Sequence, residues 1–182
     1  MTFIRIQDYG EGIQAIVFDR PDSPHNFMNL EVVAEFHDAV RSLSADDTVK
    51  GIVIASAKKS FVVGGDLKEL KALKTPEEAA RSIKIVQTCL RDLELVPKPV
   101  VAVINGLALG GGLEVALACN HRIVAEDPRL KLGLPEASLG LIPGAGGTQR
   151  LPRLIGLAAA LPILLEDRQV TGARALEIGL VD

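Results

Sequence analysis

The sequence lacks strong charge of either sign and has few residues suited to redox or metal chemistry. Twenty lysines and arginines stand against 23 aspartates and glutamates, and the net charge of −3 indicates neither a nucleic-acid nor a membrane-surface partner. The only two cysteines, Cys89 and Cys119, lie in apolar helical stretches, which predicts buried free thiols rather than a disulfide or a nucleophile. The histidines His25, His37 and His121 are scattered, so no metal site and no histidine base are predicted.

Long apolar runs are also missing. No run reaches the roughly 18 residues that a membrane span requires. The segment after Met1 has no basic stretch followed by an apolar block, so no secretory signal is predicted. We therefore expect a soluble protein in a reducing compartment, the cytoplasm of a bacterium-like cell.

The glycine-rich turns do not match two common functional motifs. Residues 144–149 (GAGGTQ) lack the last glycine of G-x-G-x-x-G, and no G-x-x-x-x-G-K-[S/T] occurs. Residues 137–140 (ASLG) do not form the G-x-S-x-G turn of serine hydrolases, and no histidine partner is placed for that serine. These absences disfavour a nucleotide-binding protein and a serine hydrolase.

The apolar pattern predicts one α/β domain. The chain has 182 residues, of which 48% are hydrophobic, enough for a sizeable core. Strands are expected at residues 3–7, 13–19, 49–55, 100–104, 121–125 and 131–132. Helices are expected after the capping residues Asn29, Asp66 and Thr75 and near residues 113–118, 148–155, 157–166 and 171–178. Strands that alternate with helices predict a mostly parallel sheet.

The central part of the chain contains the candidate site. A strand at residues 100–104 leads into three glycines, residues 110–112, and then into a helix with Glu114 in its first turn. Unpaired N–H groups and the helix dipole make such a helix start suitable for an anion, or for an oxygen that becomes one during a reaction. A second carboxylate, Glu136, lies in a turn-like setting, and residues 143–148 form another glycine cluster before a helix.

Four sequence blocks together resemble the enoyl-CoA hydratase/isomerase (crotonase) superfamily. They are residues 105–114 (NGLALGGGLE), 133–136 (GLPE), 143–151 (PGAGGTQRL) and 61–68 (FVVGGDLK). Their order and spacing fit that family, and the resemblance covers essentially all of the chain. It implies a spiral of repeated strand and helix units and catalysis on an acyl-coenzyme A thioester.

The resemblance also assigns the reacting groups. It places the backbone N–H groups of Gly65 and Gly111 around the thioester oxygen. Glu114 would take a proton from the attacking water, and Glu136 would deliver one to the α-carbon. Both glutamates are present, which favours a hydratase, and a proton shuttle at Glu136 would also permit 3-enoyl to 2-enoyl isomerisation.

Further substrate contacts follow from the same resemblance. The implied substrate-binding residues are Asn26, Val63, Gly64, Asp66, Gly110, Pro135 and Gly144. We expect Asn26 to act mostly through backbone shape and Asp66 mainly to cap a short helix. Lys58, Lys68 and Arg150 are candidates for the coenzyme phosphates. No cofactor is implied, because coenzyme A is part of the substrate.

Simpler explanations of the same residues stay open. Glu114 would also stabilise a helix start, Glu136 would suit a solvated loop, and the glycines would suit ordinary turns. A non-catalytic domain that only assembles is the alternative function.

Two segments, residues 124–131 and 18–29, look most like the amino-terminal hydratase domain of multifunctional fatty-acid oxidation enzymes. Because the sequence stops directly after a helix, we expect residues 1–182 to be such a domain, truncated at its C-terminal end. In the full-length protein this subtype implies a homo-oligomer or a complex with a thiolase subunit. NAD would enter only with a following dehydrogenase domain.

Overall fold

The computed structural model, which describes residues 2–182, has two sheets, and the strands of the larger one are rich in valine and isoleucine. The strands are β1 (Ile4–Asp8), β2 (Ile13–Phe18), β3 (Gly51–Ser56), β4 (Val100–Ile104), β5 (Ala108–Leu109), β6 (His121–Val124) and β7 (Leu132–Gly133). The main sheet has the order β1-β2-β3-β4-β6, and β5 pairs with β7 in a small second sheet. Strands β1 and β2 form an antiparallel hairpin, whereas the other neighbouring strands are parallel. The predicted α/β fold with mostly parallel strands is confirmed.

Some helices lie between successive strands, and the last ones follow β7. They are α1 (Leu30–Ala45), α2 (Leu67–Ala72), α3 (Pro76–Glu94), α4 (Gly111–Leu117), α5 (Gly147–Ile155), α6 (Leu157–Leu165) and α7 (Gly172–Glu177). Glu136 lies in a short 3₁₀ helix, Pro135–Leu139, rather than in a simple turn. None of the helices in residues 2–182 is long and apolar enough to cross a membrane.

The predicted capping residues start the helices that follow them. The side chains of Asn29, Asp66 and Thr75 each accept a hydrogen bond from a backbone N–H in the next helix. Such a bond satisfies one of the donors that a helix start leaves unpaired. The expected capping role of Asp66 is therefore confirmed.

The core lies between the main sheet and helices α1 and α3. Phe18 packs against Phe36, with ring centroids 5.0 Å apart, and against Phe61 at 6.4 Å. Cys89 and Cys119 are both buried and free, as predicted. Burial raises the pKa of each thiol to about 12, so neither is a nucleophile near neutral pH.

The small sheet brings distant loops together. Beside β5, a parallel bridge joins Val63 to Leu109, and beside β7 an antiparallel bridge joins Leu132 to Val170. The sequence did not predict β5, because a strand of two residues has no periodicity and forms only by pairing with distant segments. These contacts position the loops of the candidate site.

Candidate active site

Two glycine turns meet at the start of α4. Gly64 (φ +97°) and Gly110 (φ +53°) both adopt the left-handed backbone region that favours glycine. They lie so close that a Cβ on Gly110 would be 3.5 Å from the Cα of Gly64. The two glycines predicted to bind the thioester oxygen, Gly65 and Gly111, directly follow these turns.

The N–H groups of Gly65 and Gly111 have no partner within the chain that the structure describes. Met28 pairs with the first loop by donating to the carbonyl of Gly64 and accepting from the N–H of Asp66, each at 2.8 Å. That pairing leaves the Gly65 N–H unused. Gly111 is the first residue of α4, so its N–H has no acceptor in the helix. Both donors are available to a ligand, and their binding of a thioester oxygen stays a prediction.

Glu114 is buried in the first turn of α4, with only 3% of its surface exposed. Its Oε1 accepts hydrogen bonds from the backbone N–H groups of Ala145 and Gly147, both at 2.8 Å. Burial, and then the nearby charge of Glu136, raises the pKa of Glu114 to about 7, although these two hydrogen bonds and the charge of Arg150 oppose the rise. The carboxyl can therefore exchange a proton near neutral pH.

The third glycine cluster holds Glu114, a role that the sequence analysis missed. There we assigned Gly144 to substrate binding. In the structure its carbonyl accepts a hydrogen bond from Gln87 at 2.8 Å, and a Cβ at this position would lie 2.9 Å from the side chain of Ile83. Gly144 thus packs against α3, and its contact with a substrate stays a prediction. A glycine cluster before a helix exposes backbone N–H groups that can bind an anion, so residues 143–148 could have been predicted to bind a carboxylate.

Glu136 lies across the site from α4. Its Oε1 is 2.9 Å from the position that a Cβ on Gly110 would occupy, while its Oε2 is buried and has no hydrogen-bond partner among the described residues. Burial raises the pKa of this carboxyl, and the charge of Asp167 raises it further, whereas its own backbone N–H lowers it. Pro135, also predicted to bind substrate, is half-buried at the start of the same 3₁₀ helix.

Asn26 shapes the loop beside Gly64 from inside the protein. Its side chain accepts from the N–H of Arg20 at 2.9 Å and donates to the carbonyl of Phe18 at 3.0 Å and to Oγ of Ser56 at 2.9 Å. The backbone carbonyl of Asn26 accepts a hydrogen bond from the N–H of Val63 at 2.9 Å. The expectation that Asn26 acts through backbone shape fits this geometry, and contacts of Asn26 and Val63 with a substrate stay predictions.

Two of the three phosphate candidates already have acidic partners. Lys58 is 3.1 Å from Asp19, and Arg150 is 3.2 Å from Glu94. Arg150 also donates to the carbonyl of Ala145 at 2.9 Å, so it supports the loop that holds Glu114. Lys68 is exposed on α2.

Comparison with known proteins supports the resemblance of the four sequence blocks. The family model described as enoyl-CoA hydratase/isomerase matches residues 8–182. The chain belongs to this family. Among curated members, the fatty acid oxidation complex subunit alpha of Shewanella halifaxensis is 43% identical over 173 residues. That match covers 94% of this chain but 24% of the relative, so the chain spans about a quarter of that protein's length.

Solved structures of family members share the fold. The enoyl-CoA hydratase of Bacillus anthracis superposes with a TM-score of 0.91 and 35% identity, over 99% of this chain and 69% of that one. DspI of Pseudomonas aeruginosa has the same TM-score with 31% identity, over 100% and 72% of the two chains. The predicted crotonase-like fold is therefore confirmed.

Of two alanine substitutions at glycines of this site, one should be tolerated and the other should destabilise the chain. We expect Gly65→Ala to keep fold and activity, because its Cβ would meet nothing closer than 3.7 Å and the backbone N–H remains. Gly112→Ala should destabilise the chain by about 1–3 kcal/mol or more, because its Cβ would collide with the carbonyl of Val62. Urea unfolding of both variants measures the contrast. Equal midpoints would contradict it.

Proposed function

We propose that this chain hydrates the 2,3-double bond of a 2-enoyl-CoA, as in fatty-acid β-oxidation. One observation carries the proposal. The buried carboxyl of Glu114 lies near that of Glu136 at the start of α4, beside the unpaired N–H groups of Gly65 and Gly111. This arrangement offers groups that exchange protons together with donors for a developing negative charge.

Addition of water to the β-carbon moves an electron pair toward the thioester. The carbonyl oxygen becomes an enolate oxygen, and two fixed N–H donors stabilise that charge without reorganising during the reaction. Removing one such donor typically slows a reaction by about 10²–10³. We assign the two donors to Gly65 and Gly111.

Proton transfer falls to the two glutamates. Glu114 takes a proton from the water as its oxygen bonds to the β-carbon, and Glu136 gives a proton to the α-carbon. The pair holds one proton before and after hydration, but the proton has moved from Glu136 to Glu114, so dehydration starts from the form in which Glu114 is protonated and Glu136 is ionised. Because both pKa values are raised, the pair holds one proton closer to neutral pH than ordinary carboxyl groups would.

Isomerisation is a second activity of the same site in this proposal. Glu136 alone would move a proton between carbons of a 3-enoyl-CoA, and its position beside Gly110, next to the proposed oxyanion donor, favours that step. The contrary hypothesis is a family member that only assembles. The intact glutamate pair argues against it.

Partners and cofactors of the full-length protein also belong to the proposal. The name of the Shewanella relative, a fatty acid oxidation complex subunit, suggests assembly with further subunits. A thiolase subunit or further copies of this chain as partners, and a bacterial cytoplasm as the location, are proposed from the resemblance of the sequence blocks. Hydration neither oxidises nor reduces the substrate overall, so no cofactor is needed. NAD would serve only an attached dehydrogenase domain.

The test is direct. A short 2-enoyl-CoA is mixed with the chain, and the loss of the conjugated thioester absorbance is followed while the product is identified as the 3-hydroxyacyl-CoA. The corresponding 3-enoyl-CoA tests isomerisation. Circular dichroism confirms that the protein is folded, and a folded chain with no turnover of either substrate, alone and within a longer polypeptide, would support the non-catalytic alternative.

A further inference from the structure

A third carboxyl group, that of Asp167, lies close enough to Glu136 for its charge to raise the pKa of that residue. The antiparallel bridge between Leu132 and Val170, with two hydrogen bonds of 2.9 Å, aligns the segment after α6 with the segment that leads to Glu136. Along the same alignment, Cγ of Gln169 lies 3.0 Å from the position of a Cβ on Gly133. The segment after α6 therefore packs directly against the chain that carries Glu136.

Two carboxyl oxygens in this region are buried without a hydrogen-bond partner among residues 2–182, Oε2 of Glu136 and Oδ1 of Asp167. Asp167 also has a φ of +52°, which a residue other than glycine rarely adopts. Buried carboxylates usually receive hydrogen bonds, because an unpaired charge is costly to remove from water. Each of these two neighbouring carboxyl groups has one oxygen that receives none, so a negative charge on one disfavours a negative charge on the other.

We propose that Asp167 is a positioning residue, whose negative charge keeps a proton on Glu136 for delivery to the α-carbon of the substrate. This inference rests on the proposed hydratase function. Asp167 acts only through its charge and takes no part in the proton transfers. Glu136 gives up its proton, and Glu114 gains one from water. The pair returns to its starting form by exchange with solvent.

Other charges near the pair come from several elements. The charge of Glu136 raises the pKa of Glu114 on α4, and the charge of Arg150 on α5 lowers it. The neighbours of Asp167 in sequence, Glu166 and Arg168, pair with each other at 2.8 Å on the surface. Burial, and then the charge of Asp167, raises the pKa of Glu136. Asp167 is thus the specific charge whose removal should release the proton of Glu136 more readily.

The test is a titration that does not depend on activity. The chain is labelled with ¹³C at its glutamate carboxyl groups, and the signal of Glu136 is assigned by its loss in Glu136→Gln. In Asp167→Asn the pKa of Glu136 should fall, because the charge that raises it is gone. Asp167→Gly should give the same shift, because glycine removes the carboxylate and accepts the positive φ. Glu166→Gln, which removes an exposed charge one residue away, should leave the pKa unchanged.

Kinetics provide the second readout. In the hydration assay, Asp167→Asn should lower kcat at a pH where Glu136 ionises, because a smaller fraction of Glu136 then carries the proton that it delivers. KM should stay unchanged, and the pH at which activity declines should shift downward. A purely structural role would alter thermal stability without moving the pKa of Glu136.

The outcomes separate the two proposals. If Glu136 titrates identically in the parent and in both Asp167 variants, the role of Asp167 is wrong. If its pKa shifts but neither the parent nor a longer polypeptide that contains it hydrates an enoyl-CoA, the coupling of the two carboxyl groups is supported and the proposed reaction is overturned.

Discussion

Glu114→Gln should lower the rate of 2-enoyl-CoA hydration by about 10²–10⁴ while the chain stays folded. The amide oxygen of glutamine can still accept the hydrogen bonds that Ala145 and Gly147 donate to Oε1, so the loop before α5 keeps its anchor. A glutamine cannot take a proton from water. The loss should therefore appear in kcat, with little change in KM, because the mutation removes a group that acts in the transition state.

Glu136→Gln should cause a loss of similar size, and it should also abolish isomerisation of a 3-enoyl-CoA. The measurement is the initial rate of each variant with circular dichroism as a check on folding. Glu126→Gln is the matched control, since Glu126 is an exposed glutamate outside the four motif blocks. If Glu114→Gln or Glu136→Gln hydrates the substrate as fast as this control, the assignment of the two carboxyl groups is wrong.

The second large effect concerns stability and pH. The ordinary pKa of a glutamate is near 4.5, whereas burial raises that of Glu114 to about 7 in the folded chain. Between pH 5 and pH 8 the unfolded chain therefore loses this proton more readily than the folded chain, and the free energy of unfolding falls. A pKa shift of this size corresponds to a total change of about 3 kcal/mol in the free energy of unfolding.

Glu114→Gln removes this ionisation, so the free energy of unfolding of the variant should fall less between pH 5 and pH 8 than that of the parent. Urea unfolding at pH 5 and pH 8 measures the effect, and the parent should lose about 2–3 kcal/mol more than the variant over that interval. Glu126→Gln should follow the parent. If the free energy of unfolding changes with pH in the same way in the parent and in Glu114→Gln, burial does not raise the pKa of Glu114 toward 7.

The fold was largely predictable from local patterns. The apolar pattern predicted the first two strands near residues 3–7 and 13–19, and the short apolar strands with capped helices between them predicted a mostly parallel sheet. The capping functions of Asn29 and Thr75 need only the residues that follow them, so the sequence carries that information. The glutamates and glycines of the site were likewise recognisable from their motif blocks.

Other features depended on contacts between distant parts of the chain. The burial of Glu114 and its bonds to Ala145 and Gly147 arise from the packing of α5 against α4, 31 and 33 residues away in sequence. The same kind of contact brings Asp167 to Glu136 through the bridge between Leu132 and Val170. Arg150, a phosphate candidate by its charge alone, pairs with Glu94 on α3.

The sequence by itself determined the elements, their order, the family and the identity of the two glutamates, because each depends on residue types at short spacing. Only the tertiary structure decided which groups are buried, which N–H groups remain unpaired and which charges act on one another. A pKa depends on removal from water and on charges that arrive from remote segments. For that reason the protonation of Glu114 and Glu136, on which the proposed reaction depends, follows from how the chain packs.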